Sequence, residues 1–283
     1  MESRKIAVIH LVWLPYGIEI FKNFIASYSL YSAGIDHQLI FLFNGVDDII
    51  SIKSYSNYAN EKKIEFEILI LEKGLDIEAY FFAAKNLSAD LLFFINTNSV
   101  LLSENWLKKM YDNIVKENVG MVSATGTLQS HSSSPFMSMP FRYQFSKKLK
   151  YNYRKYKLFI KSAIYWKVLF EGFPNPHLRT NAFMIWKNIF LEIKYKPITS
   201  KMRAYEFESG RNSITNQILH KKKKVLVVDK FGIGYEIKNW YGSKTFWEND
   251  QENLMISDNQ TTKYINADET EKKLFTYLAW GKK

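Results

Sequence analysis

Residues 91–99 read Leu-Leu-Phe-Phe-Ile-Asn-Thr-Asn-Ser, five apolar residues followed at once by four polar ones. A short apolar run that stops at turn residues is typical of a strand buried on both faces of a parallel sheet. Amides and hydroxyls also favour ordinary turns, so turn chemistry alone would account for the polar tail. If the strand is buried, the tail lies at the carboxyl edge of the sheet, where open α/β sheets bind their ligands.

Strand-like and helix-like patterns alternate on both sides of this stretch. Further strands are predicted at 6–12, 38–43, 64–71, 119–124, 181–186 and 225–228. Helices are predicted at 18–31, 77–87, 104–116 and 213–219, and from residue 231 onward the sequence indicates an irregular C-terminal segment. Because such alternation builds right-handed βαβ units, we expect an α/β fold with a mostly parallel central sheet flanked by helices.

The composition excludes several kinds of site. The chain has 283 residues, 39 Lys and Arg against 28 Asp and Glu, and no cysteine. Without cysteine there is no disulfide framework, thiolate nucleophile or zinc–thiolate site. The apolar run at 6–14 is shorter than the ~20 residues that span a bilayer, and no cleavage site follows it. We therefore expect a cytoplasmic protein without a transmembrane helix.

The excess positive charge is concentrated in residues 141–170, here named the basic aromatic segment. It holds nine Lys or Arg, ten aromatic residues and no acid, against a net charge of +11 for the whole chain. Helical spacing of its apolar residues predicts one or two amphipathic helices, which would bind an anionic membrane. A solvated charged face, or a groove for single-stranded nucleic acid, would have the same composition, although no nucleic-acid fold signature accompanies it.

Common nucleotide-binding fingerprints are missing from the chain. No G-x-G-x-x-G follows the first predicted strand, and no G-x-x-x-x-G-K-[ST] motif occurs. The dinucleotide-binding and P-loop interpretations therefore lose their main support. Polar residues nevertheless collect where predicted strands end, with His10 near the end of the first strand, Asn44 after the second and Asn96–Ser99 after the fourth.

Over roughly residues 5–230, the order and punctuation of these elements resembles the GT-A fold of nucleotide-sugar glycosyltransferases, most closely the inverting glycosyltransferase family 2. The resemblance implies a single GT-A domain over residues 1–283. Its predicted parts are a nucleotide-sugar-binding half at 1–125, a basic aromatic helical insertion at 126–180, and an acceptor-binding half with the C-terminal segment at 181–283.

The resemblance also implies donor-binding residues along the first four strands. They are His10, Val12, Pro15, Asn44, Gly74, Lys85, Asn96, Thr97 and Asn98. The family carries a D-x-D motif, whose carboxylates hold a divalent cation against the diphosphate, where this chain has Asn96 and Asn98. The use of Mg²⁺ or Mn²⁺ is therefore left open: Asn98 has an amide oxygen to offer a cation, whereas cationic side chains would compensate the diphosphate directly. The candidates for the second role are His177, Arg179, Arg203 and Arg211.

Two glutamates are similar to the acidic motif that supplies the catalytic base of the family. Glu208 is the first choice, because Ser209 and Gly210 follow it and indicate a loop, and Glu206 is the second. Either would otherwise be an ordinary helix carboxylate. The predicted acceptor-binding or phosphate-binding residues are His177, Arg179, Asn181, Arg211, Trp240 and Trp247, although core packing is the usual role of a tryptophan.

These observations together predict an inverting transferase that moves one sugar from a nucleotide sugar to a hydroxyl group, with a glutamate as general base. The Q-x-x-R-W motif of processive members is absent, which favours single transfer. The expected acceptor is a surface glycan, such as a lipopolysaccharide, capsule or other lipid-linked chain, reached from the cytoplasmic face of the inner membrane. The alternatives are a single-stranded nucleic-acid-binding protein, although nucleic acid is not the expected partner, and a nucleotidyltransferase or nucleotide-sugar hydrolase on a similar fold.

Overall fold

Strands from both halves of the chain form one central sheet. The computed structural model describes residues 4–46, 48–137 and 166–282. The strands are β1 (Ile6–Trp13), β2 (Gln38–Asn44), β3 (Glu67–Leu71), β4 (Leu91–Ile95), β5 (Val100–Leu101), β6 (Val119–Ser123), β7 (Gly126–Thr127), β8 (His177–Leu178), β9 (Ala182–Trp186), β10 (Lys224–Val228), β11 (Gly234–Tyr235) and β12 (Ile256–Ser257). The longer helices are α1 (Ile18–Leu30), α2 (Lys53–Glu61), α3 (Asp76–Asn86), α4 (Trp106–Ile114), α5 (Ser134–Met137), α6 (Lys187–Leu191), α7 (Lys201–Ser209), α8 (Ile214–His220), α9 (Asn259–Ile265) and α10 (Glu269–Trp280).

The sheet has the strand order β11-β10-β6-β9-β4-β1-β2-β3. β1 is parallel to β2 and β4, β2 to β3, and β6 to β10, whereas β9 runs antiparallel between β4 and β6 and β11 is antiparallel to β10. The predicted α/β fold with a mostly parallel sheet is therefore confirmed. The reversal at β9 was not predicted, and it brings the start of that strand to the carboxyl edge of its neighbours.

Apolar side chains cover both faces of the sheet. On one face Tyr80 of α3 packs with Phe94 and Phe183, and on the other Phe24 of α1 and Trp106 of α4 belong to a second buried cluster. All five residues of β4 are buried. Burial on both faces explains why the strands read as continuous apolar runs rather than as alternating ones.

The C-terminal segment, predicted to be irregular, contains the two helices α9 and α10. Asp258 and Asp268 cap them, each accepting hydrogen bonds from two backbone N–H groups of the first turn. The helix predicted at 104–116 is shorter than expected, running from Trp106 to Ile114, with Asn105 at its N-terminal boundary. α7 was not predicted at all; the Ser200 side chain caps it by accepting from the Arg203 backbone N–H.

Residues 141–165, most of the basic aromatic segment with its predicted amphipathic helices, lie outside the described residues. The described remainder includes a helical turn at 166–169 and the fully buried Phe170. Among residues 4–46, 48–137 and 166–282, no helix combines the length and the hydropathy needed to cross a bilayer.

Candidate active site at the carboxyl edge of the sheet

Polar groups from neighbouring strands meet at the carboxyl edge of the sheet. The backbone N–H of Trp13, at the end of β1, donates to the Thr97 hydroxyl over 3.2 Å. Asn44 ends β2 beside Trp13 and donates from Nδ2 to the Gly74 carbonyl at 2.9 Å. Its Oδ1 is buried and has no partner among the described residues. The tip predicted after β4 thus lies beside the ends of β1 and β2.

The start of β9 joins this tip from the other side. The Asn96 backbone N–H donates to the Asn181 carbonyl over 2.7 Å. The Asn181 side chain accepts from the Thr125 hydroxyl at 2.9 Å, while its buried Nδ2 has no partner within the described part of the chain. A buried acceptor at Asn44 and a buried donor at Asn181 are therefore left unpaired at the same edge. Such groups are costly unless something else satisfies them.

Glu208 lies in the last turn of α7 and reaches the residue next to Asn181. The Thr180 backbone N–H donates to Glu208 Oε2 at 2.8 Å, and the Thr180 hydroxyl donates to the same oxygen. Among the described residues, Oε1 accepts no hydrogen bond. Two adjacent residues, Thr180 and Asn181, thus connect the glutamate to the strand-four tip. Hydrogen bonds from an N–H and a hydroxyl stabilise an ionised carboxylate while leaving one of its oxygens available.

Burial shifts the pKa of three titratable groups around Glu208 in the direction that favours their neutral forms. Burial raises the pKa of Asp76, with a smaller contribution from the charge of Glu208. It lowers the pKa of His177 and takes that of His131 to about 4, in both cases against the opposing effect of Glu208. His177 Nδ1 lies 2.8 Å from the Asn175 carbonyl, so the neutral ring donates its proton there. Near neutral pH, Glu208 is therefore not compensated by a charged histidine.

Arg179 is already paired in the structure. Its guanidinium lies 2.7 Å from Asp258 Oδ2, and the two side chains are 11% and 2% exposed. The same group packs over the Phe246 ring, 4.4 Å from the centroid. A paired, mostly buried arginine supplies little net charge to a diphosphate. The structure thus assigns Arg179 a structural partner that the sequence did not indicate.

Two of the predicted donor residues, His10 and Lys85, lie away from this edge, whereas Val12 and Pro15 lie close to Trp13 at the carboxyl end of β1. His10 is fully buried and stacks on Phe24 with 3.7 Å between ring centroids, and burial lowers its pKa to about 3. Val12 belongs to the same apolar cluster. Pro15 is exposed in the turn after β1, and Lys85 lies at the far end of α3, next to the amino edge. The prediction for His10 and Lys85 is wrong, because side chains alternate along β1 and α3 leads away from the carboxyl edge.

The remaining predicted residues also fall outside the cluster. Trp240 and Trp247 are buried in the core, with indole N–H groups donating to the carbonyls of Tyr235 and Gln260, so neither is a free stacking surface. Glu206 pairs with Lys196 at 3.0 Å and with Arg203, on a different side of α7 from Glu208. Arg211 forms an exposed ion pair with Glu171.

Sequence reasoning missed Thr180, Thr125, Asp76 and His131. Thr180 and Thr125 acquire their roles only because β9 inserts between β4 and β6, a pairing that no local pattern reveals. Asp76 begins α3, where an acid is expected for the helix dipole alone. No sequence signal distinguished it from other helix-initial acids.

The donor set at the tip does not fit a resident divalent cation. Asn98 offers an amide oxygen, but Asn96 Oδ1 already accepts from the Asn98 backbone N–H at 3.2 Å. Within the described residues, no group of three or more His, Asp or Glu side chains is arranged to hold a metal ion. Mg²⁺ is normally bound by carboxylates together with substrate phosphates. A cation at this tip would depend almost wholly on phosphate oxygens for charge compensation.

A large open cavity lies at the opposite edge of the sheet. Its volume is about 1030 Å³, and Arg4, Asp90, Trp186 and Lys187 are among its lining residues. None of the residues of the carboxyl-edge cluster lines it. This large cavity therefore does not coincide with the polar cluster. The carboxyl edge is the better candidate active site, because the buried unpaired groups and the hydrogen-bonded glutamate lie there.

No protein-family model matches the sequence, and no curated protein matches it. The fold is similar to that of a mannosyltransferase from Pyrobaculum calidifontis solved with GDP-Man and Mn²⁺, at 8% identity and a TM-score of 0.49 over 98% of this chain and 70% of that one. It is also similar to glucosyl-3-phosphoglycerate synthase from Mycobacterium tuberculosis in complex with Mn²⁺, UDP and glucosyl-3-phosphoglycerate, at 14% identity and 0.39 over 69% and 61%. A third similarity is to residues 1–349 of S. aureus TarS in complex with UDP, at 13% identity and 0.34 over 42% and 34%.

These similarities concern the fold, and the chain spans less than two thirds of the second and third proteins. What this chain binds and transfers has to be inferred from its own residues.

Proposed function

We propose that this protein is an inverting glycosyltransferase that moves one sugar from a nucleotide-sugar donor to an acceptor hydroxyl. The observation that carries the proposal is the junction of Asn96 with Asn181 and of Thr180 with Glu208. Asn96 belongs to the tip that would face the donor diphosphate, and Glu208 carries the carboxylate that would face the acceptor. The two are connected through the adjacent residues Asn181 and Thr180. Proximity of this kind is what a direct displacement needs.

Glu208 is the general base of the proposed reaction. The acceptor hydroxyl gives its proton to Oε1, the oxygen that accepts no hydrogen bond from described residues, while Thr180 holds Oε2. The acceptor oxygen then bonds to the anomeric carbon as the bond to the diphosphate breaks, which inverts the configuration. A carboxylate within hydrogen-bond reach suffices for this step.

The donor side uses the unpaired amides of the edge. Asn181 Nδ2 donates to an oxygen of the bound donor, and Asn44 Oδ1 accepts from one of its N–H or O–H groups. Trp13, half-buried beside Gly45, supports the base or sugar ring. These assignments use donors and acceptors that lack other partners within the described residues, so binding would relieve their desolvation cost.

The acceptor is proposed to be a lipid-linked surface glycan at the cytoplasmic face of the membrane. The composition of the basic aromatic segment supports this, since clustered Lys and Arg with aromatic residues favour anionic lipid surfaces. Neutralising Lys147, Lys148 and Lys150 should weaken binding to vesicles with anionic lipid. Unchanged vesicle binding would remove the membrane part of the proposal and leave the transfer reaction untouched.

The decisive experiment separates binding from transfer. A panel of UDP, GDP, CMP and TDP sugars is screened by thermal shift, and a ligand that binds only the folded state raises the midpoint. Glu208→Gln should keep the shift and lose transfer by at least about a thousandfold, as expected for removal of a general base. Glu206→Gln is the matched control on the same helix and should retain transfer. Full activity of Glu208→Gln, or binding of oligonucleotides with no response to any sugar nucleotide, would contradict the proposal.

A further inference from the structure

A second cavity lies among the C-terminal elements. Its volume is about 640 Å³, and it is lined by the loop that contains Tyr241 and Glu248 and by α9 and α10. None of the residues of the carboxyl-edge cluster lines it. The side chains that form its wall have no role in the proposed transfer reaction.

Glu248 is the unusual residue of this cavity. It is only 5% exposed, and its Oε2 is buried without a partner among the described residues. A buried carboxylate oxygen without a hydrogen bond is costly, and water or a ligand normally satisfies such a group. The group is therefore a fixed acceptor in the cavity wall.

The loop around Glu248 is held in place at a cost. Lys244, Trp247, Asn249 and Gln251 all have left-handed backbones, with φ between 45° and 54°. The Gln251 side chain fixes the turn by accepting from the Trp247 backbone N–H at 3.1 Å and donating to the Thr261 carbonyl at 2.9 Å. Residues in this conformation other than glycine each cost about 1 kcal/mol or more. The rigid turn fixes the orientation of the Glu248 side chain.

The charges of the lining cancel. Three acids, Glu248, Asp250 and Glu269, face three lysines, of which Lys272 lies 3.7 Å from Asp250. The Tyr241 ring is 37% exposed at the rim. An anionic ligand would meet the acids, and a cationic ligand would meet the lysines. A neutral ligand with many hydroxyls satisfies both sets and can lay a ring face on the tyrosine.

We propose that this cavity is a carbohydrate-binding site for neutral sugar residues. A sugar hydroxyl donates to the free oxygen of Glu248, other hydroxyls accept from the lysines, and a pyranose face packs on Tyr241. The site is separate from the candidate active site: Arg179 contacts Phe246, which stacks on Trp247 at 4.6 Å, and Trp247 packs on Phe275 at 4.7 Å before the cavity is reached. Binding there requires no transfer chemistry.

The test uses the whole chain and three neutral trisaccharides, chitotriose, maltotriose and mannotriose, at millimolar concentration. Binding is measured by calorimetry and by saturation-transfer NMR. At least one trisaccharide should bind, and Glu248→Gln and Tyr241→Ala should each weaken it tenfold or more. Glu252→Gln is the matched control, since Glu252 lies on the same loop in an exposed pair with Lys244 and does not line the cavity.

Three results would overturn the inference. They are no binding by any of the trisaccharides, binding that Glu248→Gln and Tyr241→Ala leave unchanged, and binding that is lost in Glu208→Gln instead. Near-ultraviolet circular dichroism of each variant checks that the fold is kept. Because transfer is not measured, failure here is distinguishable from failure of the proposed reaction.

Discussion

Two glutamates in this protein, the half-buried Glu208 and the buried Glu248, have opposite surroundings. At the carboxyl edge, Glu208 receives two hydrogen bonds from Thr180, and the nearby Asp258 is paired with Arg179. In the C-terminal loop, Glu248 has an oxygen with no partner among the described residues, and burial raises its pKa. The comparison teaches that one edge of the molecule holds its charges in hydrogen bonds and an ion pair, whereas burial in the loop disfavours the charged form of Glu248.

The largest expected effect on stability comes from removing the ion pair between Arg179 and Asp258. Asp258→Asn leaves the mostly buried Arg179 without its counter-charge, which should lower the free energy of unfolding by about 3–5 kcal/mol. Asp268→Asn is the control, because Asp268 caps α10 in the same way but is exposed and has no ion pair in the described structure. It should cost less than about 1 kcal/mol. Asn retains the capping oxygen in both variants, so urea unfolding isolates the ion pair, and equal losses would contradict its predicted contribution.

A smaller effect is expected from loosening the hold on Glu208. Thr180→Val removes the hydroxyl donor but keeps the backbone N–H, so kcat should fall roughly ten- to a hundredfold, the worth of one hydrogen bond to a charged group. KM for the sugar nucleotide should stay unchanged. Thr262→Val, on the exposed side of α9, should change neither constant. A rise in KM with unchanged kcat would mean that Thr180 contacts the donor instead of positioning the base.

In the C-terminal loop, replacing the glutamate should stabilise the fold rather than destabilise it. Glu248→Gln removes a charge that burial disfavours more than Tyr241 and Lys244 stabilise it, and should raise the melting temperature at pH 7 by about 2–4 °C, corresponding to ~1 kcal/mol in a domain of this size. The pKa of Glu248 is raised in the fold, so wild-type stability is lost as pH increases from the ordinary glutamate pKa through the raised one. The advantage of the variant should therefore vanish near pH 4, and a benefit independent of pH would contradict this explanation.

The smallest effect concerns the amide tip itself. Asn98→Asp adds one carboxylate where the described donors carry none, and should make the thermal shift produced by a sugar nucleotide more dependent on Mn²⁺ by a few degrees. Asn60→Asp, on exposed α2, adds the same charge elsewhere and should not. If wild type already shows the full Mn²⁺ dependence, the cation is held by groups other than this tip.

The sequence was most informative where local patterns decide structure. β4 matches the predicted residues 91–95, and most other central strands differ by one or two residues, because burial on both faces produces apolar runs that can be read directly. The positions of Asn44 and Asn96 at the carboxyl edge could be predicted because each follows such a run, whereas Glu208 was chosen from the resemblance and from the loop signal of Ser209 and Gly210. It was missed where it depends on distant pairing: the insertion of β9 creates the roles of Thr180 and Thr125.

The site predictions for His10, Trp240 and Trp247 disagree with the structure for a related reason. The sequence pattern shows that a polar or aromatic residue lies in or after a strand, but it does not show which face of the sheet the side chain occupies. His10 lies on the face that packs against α1, and Trp240 is buried in the cluster on the other face, with its indole N–H donating to the Tyr235 carbonyl. The orientation of each depends on elements more than ten residues away.

The reversed strand β9 has a consequence for how the chain can vary in length. It is paired on both sides, with Met184 opposite Phe93 on one and Val122 on the other, and Thr180 and Asn181 stand immediately before it. A single inserted or deleted residue between 178 and 182 would turn these two side chains to opposite faces and separate the glutamate from the asparagine tip in one step. Homologues of this chain should therefore tolerate gaps in the loops at the amino edge but keep this short entry at constant length.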